Sequence, residues 1–561
     1  MRYGASMCAS RTRTPDSTKT VPMGTRIHEK IVRQEVHYFI IVQGAEITSF
    51  VMTDGARKGK SHGETRMFPF NLFSDETYMA MGILILFFIS IPTMSIIFLS
   101  HALSIPMQYA FYDHSPIGRS IFEAFRTAQR DFFKCVGHYI LLDPRDSSYL
   151  PHMLWGSLLQ PALFYWAWNR HQLHGLEIST FLIYHLIRVG PKHYLFAHHA
   201  TLVHKEGHAS RTGLYCNPFS KDRRMIPKPV RRLFADHLNA GIAGLFYGTI
   251  PNHYAIAHNK IHHRWHNDNG DVHTNMDLDR TSITSYVLYL PRFVAYWTGI
   301  SPIVLFWSRG EYRLCMELFC GMIYYYSWSA FVCYKAGFVF YCSYVLYPFL
   351  QAASFLGLIA YLWHAFSEES DPNNQYINSI TILRGFMNVW NEDYHVVHHH
   401  EPHVHWTDMP ESFERNIDKY VECRATVFGD CQQGMLIAFL FGKKWDVLTD
   451  HFIDLQYVFS NGEKNSAADK RLTIKQVADY ERGLLQHHAQ GMEEEKKEDV
   501  ALLKPDEQFL AHHEEVKAML LRRLRYHYIG RDRKDEWRRY NAELNATIRD
   551  FDVTEEDKKM S

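Results

Sequence analysis

One uncharged run constrains the fold of this chain more than any other feature. It extends from Tyr78 to Ser100, reads YMAMGILILFFISIPTMSIIFLS and contains no Asp, Glu, Lys or Arg. As an α-helix it is long enough to cross a hydrocarbon core of about 30 Å. Pro92 would kink such a helix, which helices in a bilayer tolerate. The run therefore predicts a membrane-spanning helix.

Further apolar runs follow in the middle of the chain. They are Met153–Trp168, Leu176–Ile187, Ile283–Trp307, Cys315–Tyr334 and Gly337–Trp363. The last three are each long enough to span, and their ends carry Tyr and Trp, as is typical of membrane interfaces. The segment Phe234–Pro251 contains Asp236 and His237, so we expect it at the interface. Together the runs predict an all-α polytopic membrane protein with a helical transmembrane bundle.

Charge sets the orientation and excludes one class of partner. Lys+Arg and Asp+Glu number 60 each, so the chain has no net charge with which to attract nucleic acid. The basic stretch Lys221–Arg232 predicts a cytosolic loop. The basic N-terminal arm agrees with that orientation, so we expect both termini in the cytosol. The 9 cysteines are scattered and predict reduced core residues.

The same patterns predict three regions. Residues 1–75 are expected to form a basic, disordered cytosolic arm, residues 76–410 a membrane domain, and residues 411–561 a charged cytosolic extension. The chain ends in Lys558-Lys559-Met560-Ser561. This ending resembles the dilysine retrieval signal of endoplasmic reticulum membrane proteins. It therefore favours the endoplasmic reticulum membrane over a plastid membrane.

Histidine forms three clusters with matched spacing among the 35 histidines of the chain. Their cores are His204-x3-His208 (box one), His258-x3-His262-His263 (box two) and His395-x2-His398-His399 (box three). On a helix, positions i and i+4 lie on one face, so both imidazoles can reach one metal ion. His263 would point roughly 100° away from His262. One helix end can thereby serve two neighbouring metals.

The clusters predict a two-metal centre. Imidazole suits zinc, copper, iron and nickel, and eight imidazoles are too many for one tetrahedral zinc. Nearby acids could orient the ligand N–H groups: Asp268, Asp271, Asp277, Asp279, Glu392 and Asp393. A nonspecific metal buffer and a metal transporter remain as alternatives. A transporter would place ionisable residues within spanning helices, whereas these clusters lie at the ends of apolar runs.

The three boxes resemble those of the membrane fatty acid desaturase and hydroxylase superfamily. HKEGH stands where that family has HExGH or HDxGH, and YHVVHHHEPH resembles its YHxxHH box. Asn275 and Asp277 resemble its TN-x-D stretch, and the likeness covers about residues 75–410. The resemblance implies a helical membrane domain under a cytosolic histidine-rich cap. The ligands it implies are His204, His208, His258, His262, His263, His395, His398 and His399, joined by His364 or Asn391, with His364 preferred.

The same resemblance implies a function. Two iron ions (Fe2+/Fe3+) and O2 would oxidise a long-chain lipid by desaturation, hydroxylation or epoxidation. The chemistry lies at the metal centre, so no catalytic side chain is assigned. H-P-G-G is absent from the sequence, so a fused cytochrome b5 domain is not expected. A separate electron donor, cytochrome b5 or an NADPH-dependent reductase, is then required.

Several residues depart from ordinary acyl desaturases. Lys205 replaces the usual acid after the first histidine of box one, and box three carries the extra histidines His400, His403 and His405. These departures keep open an alternative squalene epoxidase of sterol synthesis. All three boxes must also share one side of the membrane. One apolar run between boxes two and three, with Ile283–Trp307 the first candidate, should therefore be interfacial or re-entrant.

Overall fold

A computed structural model describes residues 74–209, 213–216, 238–268, 270–372, 374–461 and 507–525. These all belong to one compact unit, Gly63–Ser561. Nearly all of the predicted N-terminal arm lies outside the described residues, as do the basic loop Lys221–Arg232 and the dilysine ending. The predicted domain bounds stay a prediction.

The described chain is almost entirely helical. The helices are α1 (Asp75–Asp113), α2 (Pro116–Ile140), α3 (Leu150–His174), α4 (Ile178–Val189), α5 (Tyr194–His208), α6 (Leu238–Gly241), α7 (Gly244–Tyr247), α8 (π-helical over His253–His262 and continued by His263–Trp265), α9 (Ile283–Trp297), α10 (Ile300–Ser308), α11 (Tyr312–Ala336), α12 (Phe338–Trp363), α13 (Gln375–Asn378), α14 (His395–His400), α15 (Met409–Arg415), α16 (Ile417–Glu422), α17 (Gln433–Phe441), α18 (Trp445–Asp450), α19 (Leu455–Asn461) and α20 (Glu507–Arg525). Two three-residue strands, β1 (Thr381–Leu383) and β2 (Val427–Gly429), pair in parallel.

Helix α1 contains the uncharged run Tyr78–Ser100. The Ser74 hydroxyl accepts a hydrogen bond from the backbone N–H of Thr77 and so caps the first turn. A π-helical turn, Leu86–Ser90, lies directly before Pro92. Proline lacks the N–H of a regular helix, and the wider turn lets the helix continue past it.

Two helices of the described ranges, α1 and α12, are long and apolar enough to cross a membrane. Helices α3 and α11 have 25 residues each and cover two more of the predicted runs, but they are less apolar. Helix α4 has 12 residues, about 18 Å, which is too short to cross alone. The architecture is therefore helical, and the number of spans stays a prediction.

The run Ile283–Trp307 is not one helix. It divides into α9 and α10 at Gly299, whose φ of +80° is the left-handed conformation that glycine favours. Neither piece is long enough to cross a bilayer, which agrees with the expectation for this run. Helix α9 packs closely on α1 at Gly82, which has no Cβ atom. A Cβ atom at this position would lie 2.0 Å from the Val287 carbonyl oxygen, so only glycine permits this approach.

The C-terminal part of the chain packs onto the region that carries the boxes. Strand β2 pairs with β1, with Thr381 opposite Val427. Helix α17 buries Leu436 and Leu440 in the main core. Helix α20 ends against the buried Arg280, whose Nη2 donates to the Arg523 carbonyl oxygen at 3.0 Å. The described parts of the C-terminal extension, residues 411–461 and 507–525, thus pack against the region that carries the boxes.

Candidate metal centre

The nine predicted histidines converge in two adjoining groups. The five-histidine group contains His204, His208, His258, His263 and His398, and the four-histidine group contains His262, His364, His395 and His399. Within each group, one ring nitrogen of each histidine lies within 4.8 Å of the corresponding nitrogens of the others. The rings of His263 and His399, one from each group, have centroids 4.5 Å apart. The structure therefore brings all nine together at one place.

The five-histidine group begins on α5, as the i and i+4 spacing of box one predicts. The Nε2 atoms of His204 and His208 lie 3.1 Å apart, and His258 Nε2 lies 2.8 Å from His204 Nε2. Box three contributes His398, whose Nε2 lies 3.0 Å from His263 Nε2. Three separate segments of chain thus supply one set of nitrogens.

Box two divides between the groups differently from the prediction. The sequence pairs His258 with His262, but in the structure His258 converges with His263 at an Nε2–Nε2 distance of 3.0 Å. In an α-helix, position i+5 lies about 140° from position i. Residues His253–His262 are instead wound as a π-helix, in which hydrogen bonds join i to i+5. The wider winding brings His263 towards His258 and leaves His262 for the other group.

His364 completes the four-histidine group. Its Nε2 lies 3.1 Å from His262 Nε2 and 3.2 Å from His395 Nε2. Asn391, the other candidate, instead donates through Nδ2 to the Trp406 carbonyl oxygen at 2.8 Å. His364, and not Asn391, therefore lies within the four-histidine group, and its role as a ligand stays a prediction.

Hydrogen bonds on the far side of these rings fix where their lone pairs point. His364 Nδ1 donates to the Asn378 carbonyl oxygen at 2.8 Å, and His262 Nδ1 lies 2.7 Å from an Asp271 carboxylate oxygen. Burial, and then the neighbouring His262, holds the pKa of His364 well below its ordinary value, so this ring is neutral. Both Nε2 atoms then carry lone pairs that face each other. Such an arrangement suits a cation between them, so the residues fit a metal ion.

Asp271 is the carboxylate behind the four-histidine group. It contacts His262 through Oδ2 and lies 3.4 Å from His273 Nε2 through Oδ1. Burial would raise the pKa of Asp271, but His273 and His262 outweigh it and lower the pKa to about 2. The residue is therefore a full carboxylate that orients a ligand ring.

Glu392 occupies the corresponding place behind the five-histidine group. Its Oε2 lies 3.3 Å from His204 Nδ1, and its Oε1 forms an ion pair with the Lys205 ammonium. Burial would raise the pKa of Glu392, but Lys205 and His204 together lower it below its usual range. Glu392 and Asp271 are thus two of the six acids that the sequence offered as partners of ligand rings.

Other acids near the boxes have structural partners. Asp277 forms an ion pair with Arg292 at 2.7 Å, and Asp279 accepts from the Thr281 hydroxyl at 2.6 Å. Glu206, the acid within HKEGH, accepts from the backbone N–H groups of Asn239 and Ala240. Burial raises the pKa of Glu206 to about 8. Glu206 thus joins α5 to α6.

Two further partners of the site were not predicted. His266 Nδ1 lies 3.0 Å from His399 Nδ1, on the side of that ring away from the group. His266 stands within the second cluster, but its φ of +46° takes it out of the helical spacing. The Asn378 carbonyl oxygen is a backbone atom, which no residue type reveals. These contacts depend on the fold.

Comparison with known proteins agrees with this geometry. The family model for fatty acid desaturases matches residues 192–428, which contain all nine histidines. No curated protein and no solved structure matches the chain. The comparisons give no support to the squalene epoxidase alternative. Two apolar helices and this family together indicate a membrane protein. Over residues 192–428, less than half of its length, the chain is similar to the fatty acid desaturase family, and this likeness supports the membrane fatty acid desaturase/hydroxylase superfamily, whose members are oxidoreductases.

Proposed function

We propose that this protein is a membrane enzyme that oxidises a long-chain lipid with O2 at a centre of two iron ions. The observation that carries the proposal is the adjoining pair of histidine groups, five rings in one and four in the other. Nine imidazoles exceed what one metal ion can take up. Imidazole nitrogens suit iron and leave room for O2.

When bound, the irons would supply the oxidant for attack on a C–H bond or an alkene. The protein's own part is to hold and shield them. Asp271 keeps His262 in the tautomer whose Nε2 lone pair faces the group. The Trp363 ring stacks on His395 at 4.1 Å between centroids and helps to exclude water from the four-histidine group.

The exposed apolar faces of α1 and α2 fit an enzyme that works at a membrane, where a lipid substrate would be found. Helix α1 exposes apolar side chains such as Phe88 and Met107. Helix α2 exposes Ile121 and Phe125 along one face and is strongly amphipathic, as expected of a helix that lies in a membrane interface. We place the enzyme in the endoplasmic reticulum membrane with cytosolic termini. A separate cytochrome b5 or NADPH-dependent reductase would supply the electrons.

The test is a lipid profile of a eukaryotic host that expresses the protein under air. The matched control is His398→Ala, and His174→Ala changes an exposed histidine outside both groups. We expect new unsaturated or oxygenated lipids with the wild type and with His174→Ala, and none with His398→Ala. Identical lipids in all three, with a cytochrome b5 reductase system supplied, would contradict the proposal. Metal accumulation without lipid change would instead favour transport.

A further inference from the structure

The two histidine groups differ in the charge that stands behind them. We infer that Lys205 is a positioning residue that neutralises Glu392 and so sets the charge experienced by the metal of the five-histidine group. This inference rests on the two-iron centre proposed above. It concerns a residue at which this chain departs from the usual box-one pattern, in which an acid follows the first histidine.

Lys205 and Glu392 form a buried ion pair. Their side chains are 10% and 7% exposed, and the ammonium contacts Oε1 of the carboxylate. The other oxygen, Oε2, lies 3.3 Å from His204 Nδ1. A buried charge is costly without a partner, so each of the two requires the other. Behind His204 the pair therefore presents a dipole with no net charge.

The four-histidine group has a different arrangement. The Asp271 side chain is fully buried, and its partners are the rings of His262 and His273. Among the described residues, no Lys or Arg pairs with it. A carboxylate that holds a ligand ring raises the basicity of that ligand. The four-histidine group therefore retains the full negative charge of Asp271 behind one ligand. In the five-histidine group, Lys205 cancels the corresponding negative charge of Glu392.

Sequence and geometry together make Lys205 the residue that creates this difference. It follows His204 directly on α5, so its backbone position is fixed by the ligand itself. Glu392 reaches the same place from the segment before box three. If the pair only tethered α5 to that segment, any change to either residue would loosen the group. If the pair sets charge, changes to Lys205 and to Glu392 must have opposite effects on the bound metal.

The test follows iron release from the purified full-length protein in detergent. Iron-loaded protein is mixed with the Fe2+ chelator ferrozine, and the rate constants of the two released irons are measured. Asp271→Asn accelerates the release of the iron in the four-histidine group and so assigns the two phases. Lys205→Arg retains the charge and should keep the wild-type rates. Circular dichroism checks that each variant is folded.

Glu392→Gln leaves the Lys205 ammonium unopposed beside the five-histidine group. We expect its iron to leave about tenfold faster or more, the usual scale for the loss of a ligand's outer partner. Lys205→Met leaves the Glu392 carboxylate unopposed, and the same phase should slow. The double variant Lys205→Met/Glu392→Gln should return close to the wild-type rate.

Each other outcome overturns the inference. Faster release in both single variants and in the double variant would reduce the pair to a structural tether. Unchanged release in all variants would mean that the pair has no effect on the metal. A wild-type protein that binds no iron at all would contradict the proposed function itself, whereas two irons with variant-independent rates would contradict only the role of Lys205.

Discussion

The two histidine groups are built in different ways. The five-histidine group is half-buried at His208, His258 and His263, and four of its members come from the neighbouring helices α5 and α8. The four-histidine group is buried throughout and takes His262 from α8, His364 from the end of α12, and His395 and His399 from α14. A group with fewer ligands has less redundancy. We therefore expect the four-histidine group to be the more sensitive to substitution.

The largest difference should appear when one ligand is removed from each group. His364→Ala leaves three imidazoles, whereas His208→Ala leaves four. We expect His364→Ala to lose one of the two irons and all lipid oxidation, and His208→Ala to retain more iron. Iron per chain, measured by inductively coupled plasma mass spectrometry, checks this. Equal iron loss in the two variants would remove the proposed difference in redundancy.

A smaller effect should follow from the loss of the carboxylate behind His262. Asp271→Asn keeps the shape but lowers the basicity of the ligand, so the iron affinity of the four-histidine group should fall about 10- to 100-fold. The control is Asp279→Asn, because Asp279 bonds Thr281 and contacts neither group. A chelator competition measures both variants. An Asp271→Asn variant with wild-type affinity would show that this carboxylate does not act on the metal.

A fall in pH should lower the free energy of unfolding of the protein gradually. Burial lowers the pKa of His199 to about 3 and that of His253 to about 4, and neither residue belongs to the two groups. Since the unfolded chain has histidine pKa values near 6.5, it binds more protons than the folded chain below that pH. The stabilising contribution of these two histidines is therefore complete above about pH 6.5. It is lost as the pH falls towards their pKa values in the folded protein.

We expect the melting temperature of the metal-free protein to fall between about pH 7 and pH 5. With iron bound the fall should be steeper, because protons compete for the ligand nitrogens as well. Differential scanning fluorimetry of both forms over this range measures the difference. Parallel curves for the two forms would show that the groups do not hold metal through these rings.

The smallest effect should come from Asn391, the alternative ninth ligand. Asn391→Ala removes its hydrogen bond to the Trp406 carbonyl oxygen, which costs about 1 kcal/mol of the free energy of unfolding. Iron content should remain at the wild-type value. A variant that lost an iron would return Asn391 to the ligand set in place of His364.

Spacing and resemblance together predicted which histidines converge. The i and i+4 rule applies to His204 and His208 because α5 is a regular helix there. The rule failed for His258, because the choice between α- and π-helical winding depends on packing and not on which residues carry imidazoles. The rule could not identify the Asn378 carbonyl oxygen, which is a backbone atom, or His266, whose φ of +46° takes it out of the helical spacing.

In the membrane region too, the sequence does not reveal the features that depend on packing. The length and lack of charge of Tyr78–Ser100 were sufficient to predict α1, since a hydrocarbon core leaves few alternatives to a helix. The run Ile283–Trp307 is also long and largely apolar, although it contains Arg292, and it breaks at Gly299 where the chain packs against Met322. Hydropathy alone does not distinguish a spanning helix from two short helices that pack in a core.

The contact between Arg280 and α20 has a consequence for the order of events during biosynthesis. Arg280 is fully buried and donates to the carbonyl oxygens of Ala365 and Arg523, the second of which lies 243 positions further along the chain. Ribosomes deliver the N-terminal part first. The segment after box two therefore cannot reach its final packing until residue 523 has been translated. Iron would then be inserted into a completed chain. A protein truncated before α20 would still contain all nine histidines, but the packing that holds them in the two groups would be incomplete.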